Sequence, residues 1–104
     1  MGKMFKLDYL PLALQDLKNI SDYIVDTLHA PKAAADLLDA MDESISRLQQ
    51  FPFSCRVYQP IDDMKHEYRI LPVNNYLVFY VVSEQVVEIH RVIYAKMDLT
   101  KMIK

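Results

Sequence analysis

Asn74-Asn75-Tyr76-Leu77-Val78-Phe79-Tyr80-Val81-Val82-Ser83-Glu84-Gln85 decides the fold. Seven consecutive apolar residues, rich in β-branched and aromatic side chains, lie between two polar turns. That texture marks a central strand. Asn74-Asn75 is a turn signal because Asn tolerates positive φ. Ser83-Glu84-Gln85 supplies the second turn. The flanking stretches, His66–Val73 and Val86–Tyr94, then read as the neighbouring strands of a three-stranded meander.

Upstream the hydrophobic period changes. Phe5, Leu7 and Tyr9 alternate with Lys6 and Asp8, which predicts a half-buried strand over residues 3–9. Pro11 opens a helical pattern where a helix tolerates proline. Leu10, Leu14, Leu17, Ile20, Ile24 and Leu28 recur at three- and four-residue steps, so a helix is expected over 11–28. His29-Ala30-Pro31 interrupts it, since a residue before proline resists the α region. Ala34, Leu38, Met41, Ile45 and Leu48 form a second stripe, predicting a helix over 32–50 that Phe51-Pro52-Phe53 ends. Residues 54–64 read as a surface loop.

The order β-α-α-β-β-β implies an α+β protein of two layers. An antiparallel helical hairpin packs on one face of a four-stranded sheet, and the N-terminal strand joins that sheet. The other face is expected to stay open. Residues 1–104 read as one domain, since 104 residues leave no room for two.

Composition removes several classes. The only glycine is Gly2, which excludes glycine-rich phosphate loops. One cysteine, Cys55, excludes a disulfide-stapled secreted domain and favours a reducing compartment. No apolar run approaches the ~20 residues of a membrane helix, and no signal-peptide core follows Met1. Gly2 lacks the Ser or Thr at position 6 that myristoylation asks for. The expectation is a soluble, cytoplasmic protein without a membrane partner. His29, His66 and His90 are too scattered for a zinc site, so neither metal nor cofactor is expected.

Charge is unevenly spread. The chain carries −2 overall, with −4 over residues 11–50 and +2 over 64–104. A nucleic-acid binder usually carries a positive excess. The chemistry-bearing residues left on the strands are Arg69, Tyr76, Tyr80, His90, Arg91 and Tyr94, with Lys96 just beyond them. Arginine, lysine and aromatic side chains together can stack bases and stabilise a phosphorane-like charge without metal. The bland alternatives are also explicit. Tyr76 and Tyr80 would fill the core, Arg91 and His90 would pair with nearby carboxylates, and Cys55 would only pack.

The segments Tyr68-Arg69-Ile70-Leu71-Pro72-Val73-Asn74-Asn75-Tyr76, Phe79-Tyr80 and Ile89-His90-Arg91-Val92-Ile93-Tyr94-Ala95-Lys96-Met97-Asp98 resemble the C-terminal half of RelE/ParE superfamily toxins. Ala13-x-x-Asp16-Leu17-x-x-Ile20-x-x-Tyr23-Ile24 and Leu48-x-x-Phe51-Pro52 extend the likeness over roughly residues 5–100. The resemblance implies the toxic half of a type II toxin–antitoxin module, with a cognate antitoxin as partner in a hetero-oligomer. That antitoxin is expected to bind through apolar contacts and through charge pairs to the basic C-terminal part.

The superfamily divides. RelE-like members are metal-independent endoribonucleases (mRNA interferases) acting in the ribosome. ParE-like members inhibit DNA gyrase without a known catalytic residue. Leu77 stands where the nuclease pattern has an arginine, the ending around Tyr94 is closer to the ParE pattern, and the acidic balance suits a ribosome binder poorly. These features favour gyrase inhibition, with the ribonuclease as the alternative. A plain interaction domain that binds a peptide is a third reading. The nuclease reading would have Arg69 stabilise the phosphate, Lys96 add charge and Tyr94 position a base. The gyrase reading makes the same residues contact anchors, joined by Arg91, His90 and Tyr80. By alternation Arg69 should project from the open face, and Arg91 and Tyr94 should not point the same way unless a bulge intervenes.

Overall fold

A computed structural model of the chain describes residues 4–58 and 67–95. Four strands form one mixed sheet in the order β1-β4-β3-β2. They are β1 (Lys6–Tyr9), β2 (Arg69–Val73), β3 (Tyr76–Ser83) and β4 (Val86–Tyr94). β1 runs parallel to β4, and the β2–β3 and β3–β4 pairs are antiparallel hairpins. The predicted strands are all present. Lys3 and His66, at the predicted ends, lie outside the described residues, as do residues 59–64 of the predicted loop.

The helical hairpin is α1 (Pro11–Asp22), continued by a π-helical turn (Tyr23–Thr27), and α2 (Pro31–Ser46), continued by a 3₁₀ turn (Arg47–Gln49). Each helix starts on a proline at its first position, where the missing N–H is not needed. Both pack on the same face of the sheet. Ala13, Ile24, Ala34, Leu37, Met41, Ile45 and Leu48 meet Val73, Val78, Tyr80, Val87, Ile89 and Val92 in one core.

Two helix stripes sit one residue away from the simplest periodic reading. Ala13 is buried while Leu14 is exposed, and Leu37 is buried while Leu38 is exposed. A small Ala13 lets α1 come close to β4, and the stripe then runs Ala13, Leu17, Ile20, Ile24. The wide π turn closes with Leu28 N–H on Tyr23 O (3.2 Å), and Leu28 is left exposed instead of continuing the stripe.

The far face of the sheet is not open as expected. Ile70, Phe79 and Ile93 are buried there in a second apolar cluster, with Tyr58, Tyr68 and Leu77 packed against it. Tyr58 stands edge-on to Phe79 at 5.5 Å. β3 is therefore apolar on both sides, which is why its seven apolar residues do not alternate.

A bulge interrupts the β3–β4 ladder. Phe79 pairs with Arg91 and Tyr80 with Ile89, so His90 has no opposite number. The extra residue inverts the alternation. Val87 and Ile89 face the helices before it, and Val92 faces them after it.

With glycine only at position 2, three left-handed positions among the described residues are filled by other residues: His29 (φ 53°), Asn74 (φ 53°) and Glu84 (φ 54°). His29 ends the helix, and Ala30 N–H reaches back to Ile24 O (3.0 Å). Asn74 is the residue type such a turn accepts. Glu84 is not, and an exposed Cβ-bearing residue there is strained by about 1–2 kcal/mol. Glu84→Gly gives back part of that gain as unfolded-chain entropy. The expected net is about 0.5 kcal/mol of added stability, or roughly 2–4 °C in Tm. A fall in Tm would mean that the Glu84 side chain holds the turn.

Candidate functional site

The structure disperses the residues that the sequence grouped. Arg69 opens β2 opposite Tyr80, and Tyr94 closes β4 opposite Tyr76. Four residues of β3 and two strand spacings separate them, about 16 Å between backbones. Arg69 does not project from the far face. Ile70 takes that face with Phe79, so Arg69 points to the helix side. There its Nη1 donates to Cys55 O (2.7 Å) and its Nη2 to Glu67 Oε2 (3.3 Å), with the guanidinium 5.0 Å from the Phe53 ring centroid. These contacts tie the 51–56 segment to the start of β2.

Tyr80 is fully buried, and its hydroxyl donates to Pro52 O (2.9 Å). It anchors the Phe51-Pro52-Phe53 corner from inside and presents nothing to a target. Burial holds its phenol well above the ordinary value. Tyr9, Tyr68 and Tyr76 also shift upward, mainly through burial. All four move away from the range a general base needs.

His90, on the bulge, is held between neighbours. Its Nδ1 lies 3.1 Å from Tyr68 Oη and its Nε2 3.3 Å from Glu88 Oε1. Lys96 lies outside the described residues. Cys55 is a free, partly buried thiol.

Arg91 binds a partner that the charge count alone did not reveal. β1 pairs with β4 only as far as Ile89, which leaves the β4 edge beyond it without a strand. Asp16 of α1 takes that place. Its Oδ2 accepts from Arg91 Nε (2.8 Å) and from Val92 N–H (2.9 Å), and its Oδ1 accepts from Arg91 Nη2 (3.0 Å). The hydrogen bond to Asp16 raises the Arg91 pKa further. One carboxylate thus caps the strand edge and clamps helix to sheet.

Next to this clamp lies a groove of about 870 Å³. Its walls are the α1–π segment, the start of α2, the Asn74–Asn75 turn and the end of β4. Tyr23, Leu28 and Tyr94 line it and are exposed by 56%, 55% and 38%. Tyr76 stands edge-on to Tyr94 at 5.5 Å, and burial, then Tyr94 and Tyr23 nearby, raises its phenol pKa. Arg91 and Tyr94 both border the groove although they are of opposite parity, because Arg91 turns back to α1 at the bare strand edge. Asp16, Tyr23 and Leu28 were given no site role from sequence, although Asp16 and Tyr23 stand in the toxin-like pattern over residues 13–24. Leu28 carried a signal, as an apolar stripe residue at the point where the helix breaks.

Among the described residues, no three of His, Cys, Asp and Glu are grouped to hold a metal, and no helix is long and apolar enough to cross a membrane.

The arrangement is that of a small two-layer α+β protein with an apolar groove at one end of its sheet. A family model, described as the ParE toxin of the type II toxin–antitoxin system parDE, matches residues 7–99. The chain therefore belongs to the ParE toxin family, within the RelE/ParE superfamily. Among solved structures, a chain from the chromosomal ParDE toxin–antitoxin system of P. aeruginosa has the same fold. It superimposes with a TM-score of 0.73 at 22% identity, covering 91% of this chain and 100% of that one. No curated protein sequence matches.

Proposed function

We propose that this chain is a growth inhibitor that acts in the cytoplasm by binding DNA gyrase rather than by cutting RNA. We also propose that an antitoxin neutralises it by laying an apolar segment into the groove. The observation that weighs against RNA cutting is the separation of Arg69 from Tyr94, and the ParE family match is what supports gyrase as the target. A ribonuclease must bring its cation and its base-positioning aromatic to one scissile phosphate. Here they stand at opposite ends of the sheet, and Arg69 is already committed to Cys55 O. Family membership supports the toxin–antitoxin setting. The groove supports the second part, since Tyr23 and Leu28 are large, apolar and exposed at its rim.

Purified toxin should inhibit gyrase-driven supercoiling of a relaxed plasmid while leaving messenger RNA intact in a translating extract. Codon-positioned cuts in the extract with normal supercoiling would reverse the assignment and restore the ribonuclease reading.

A further inference from the structure

At the end of the sheet opposite the groove lies a second apolar surface. Phe51 is 60% exposed, Phe53 61% and Met4 57%, the three largest values among the exposed large hydrophobic residues. They gather around one corner. Pro52, buried between the two phenylalanines, receives the Tyr80 hydroxyl, and Phe5 packs edge-on to Phe53 at 6.3 Å. Gln49 O accepts from Phe5 N–H (2.8 Å), and Gln49 Nε2 donates to Phe5 O (3.2 Å). The phenylalanines are therefore held out to solvent by a rigid support. Three such side chains together exceed the scattered apolar exposure ordinary on a monomer surface.

Three arginines border the same corner, two of them with a carboxylate neighbour: Arg47 lies 3.6 Å from Glu43 and Arg69 3.3 Å from Glu67, which leaves a small positive excess carried by Arg56. Arg47 is one turn before Phe51, and Phe51 N–H bonds to its carbonyl (3.0 Å). Arg69 lies over Phe53, and exposed Arg56 has no ion-pair partner among the described residues. Exposed Phe and Met with Arg at the rim is the composition of a protein-docking core and its border. The overall charge of −2 suits a nucleic-acid partner poorly.

We propose that Met4, Phe51 and Phe53 form the surface that docks the toxin's cellular target, a protein presenting an apolar pocket edged by carboxylates. This rests on the reading of the chain as a growth inhibitor but not on which protein it inhibits. The groove and this surface lie at opposite ends of the sheet. An antitoxin that fills the groove and also silences the toxin must then continue along the molecule to this corner.

The test compares induced growth arrest by the wild-type chain, by Phe51→Ser/Phe53→Ser, and by Phe51→Asp alone. The single variant keeps the contacts of Phe53 with Phe5 and Arg69, so it guards against loss of fold, which thermal melting checks. Both variants should need about 30-fold or more toxin for arrest, a hot-spot-sized loss. Arg56→Glu should slow onset and remove part of the salt dependence. Arrest at wild-type potency by a folded Phe51→Asp chain would overturn the proposal. So would loss of arrest on changing Tyr23 and Leu28 instead. Binding of a single-stranded RNA oligonucleotide that is lost in the double variant would overturn the protein assignment. If wild-type toxin leaves supercoiling untouched while the corner variants still lose growth arrest, the gyrase reading fails and this surface stands.

Discussion

Asp16→Ala is expected to remove about 2–4 kcal/mol of folding stability, more than the loss of any other single polar side chain among the described residues. The carboxylate accepts three hydrogen bonds, two from Arg91 and one from the Val92 backbone. Its side chain is 13% exposed and that of Arg91 is 23% exposed. Truncating Asp16 strands a half-buried guanidinium and a strand-edge N–H at once. A residue that leaves a charge unpaired costs more than the pair itself contributes. The residual exposure lets some water in, which is why the expected loss lies below the top of the range for fully buried pairs. Arg91→Ala should cost less, because Asp16 still caps Val92 and its second oxygen can be hydrated. Asp16→Asn should fall between the two. Urea unfolding measures this as a lower midpoint at unchanged slope, and Tm should fall by roughly 10–20 °C. A change under ~0.5 kcal/mol would place the pair among ordinary surface ion pairs. The exposed i,i+4 pairs Lys18–Asp22 and Lys32–Asp36 are the comparison, and breaking either should change stability by only a few tenths of a kcal/mol. The clamp also bears on Arg91 as a contact anchor. With its Nε and Nη2 bound to Asp16, the guanidinium is engaged before any partner arrives.

The strands and helices were legible because hydrophobic period is a local property. The apolar run at 76–82 identified the central strand, and Asn74 identified the turn with positive φ. The faces were harder to read. Alternation starting from Tyr68 and Ile70 gives two parities, and nothing local says which one the helices cover. The choice was settled by Ile70 packing with Phe79 and Ile93, contacts between distant residues. The bulge at His90 was equally silent, because one unpaired residue in a strand leaves no mark on composition. The dispersal of Arg69 from Tyr94 followed from register. Both are strand residues of suitable chemistry, but pairing opposite Tyr80 and opposite Tyr76 puts them at different ends. Asp16 was visible as one acid among seven in residues 11–50 and as a member of the toxin-like pattern at 13–24, but with no role attached. Its special role depends on β1 being four residues long and leaving the rest of the β4 edge bare. Charge counting cannot see an edge.

Replacing both Tyr23 and Leu28 by alanine should weaken antitoxin binding by about 100-fold or more while leaving the fold intact. Each side chain is more than half exposed in the free chain, and both line the groove. An apolar segment seated there would bury what is now wet, and a Leu or aromatic side chain so covered contributes about 1.5–3 kcal/mol. Anchors at a groove centre reach 2 kcal/mol or more, so two of them exceed the 2.7 kcal/mol that a hundredfold change requires. Stability should move little, because neither side chain is a core member and alanine is the best helix former. This separates the groove from the Asp16–Arg91 clamp beside it, where the change would appear first in unfolding. Titration calorimetry of the purified variant with its cognate antitoxin gives the affinity, and growth rescue by co-expressed antitoxin gives the consequence. A double variant that is still neutralised at wild-type antitoxin levels would remove the groove as the seat. A variant that escapes neutralisation but still arrests growth would locate antitoxin binding in the groove and toxic action elsewhere on the molecule.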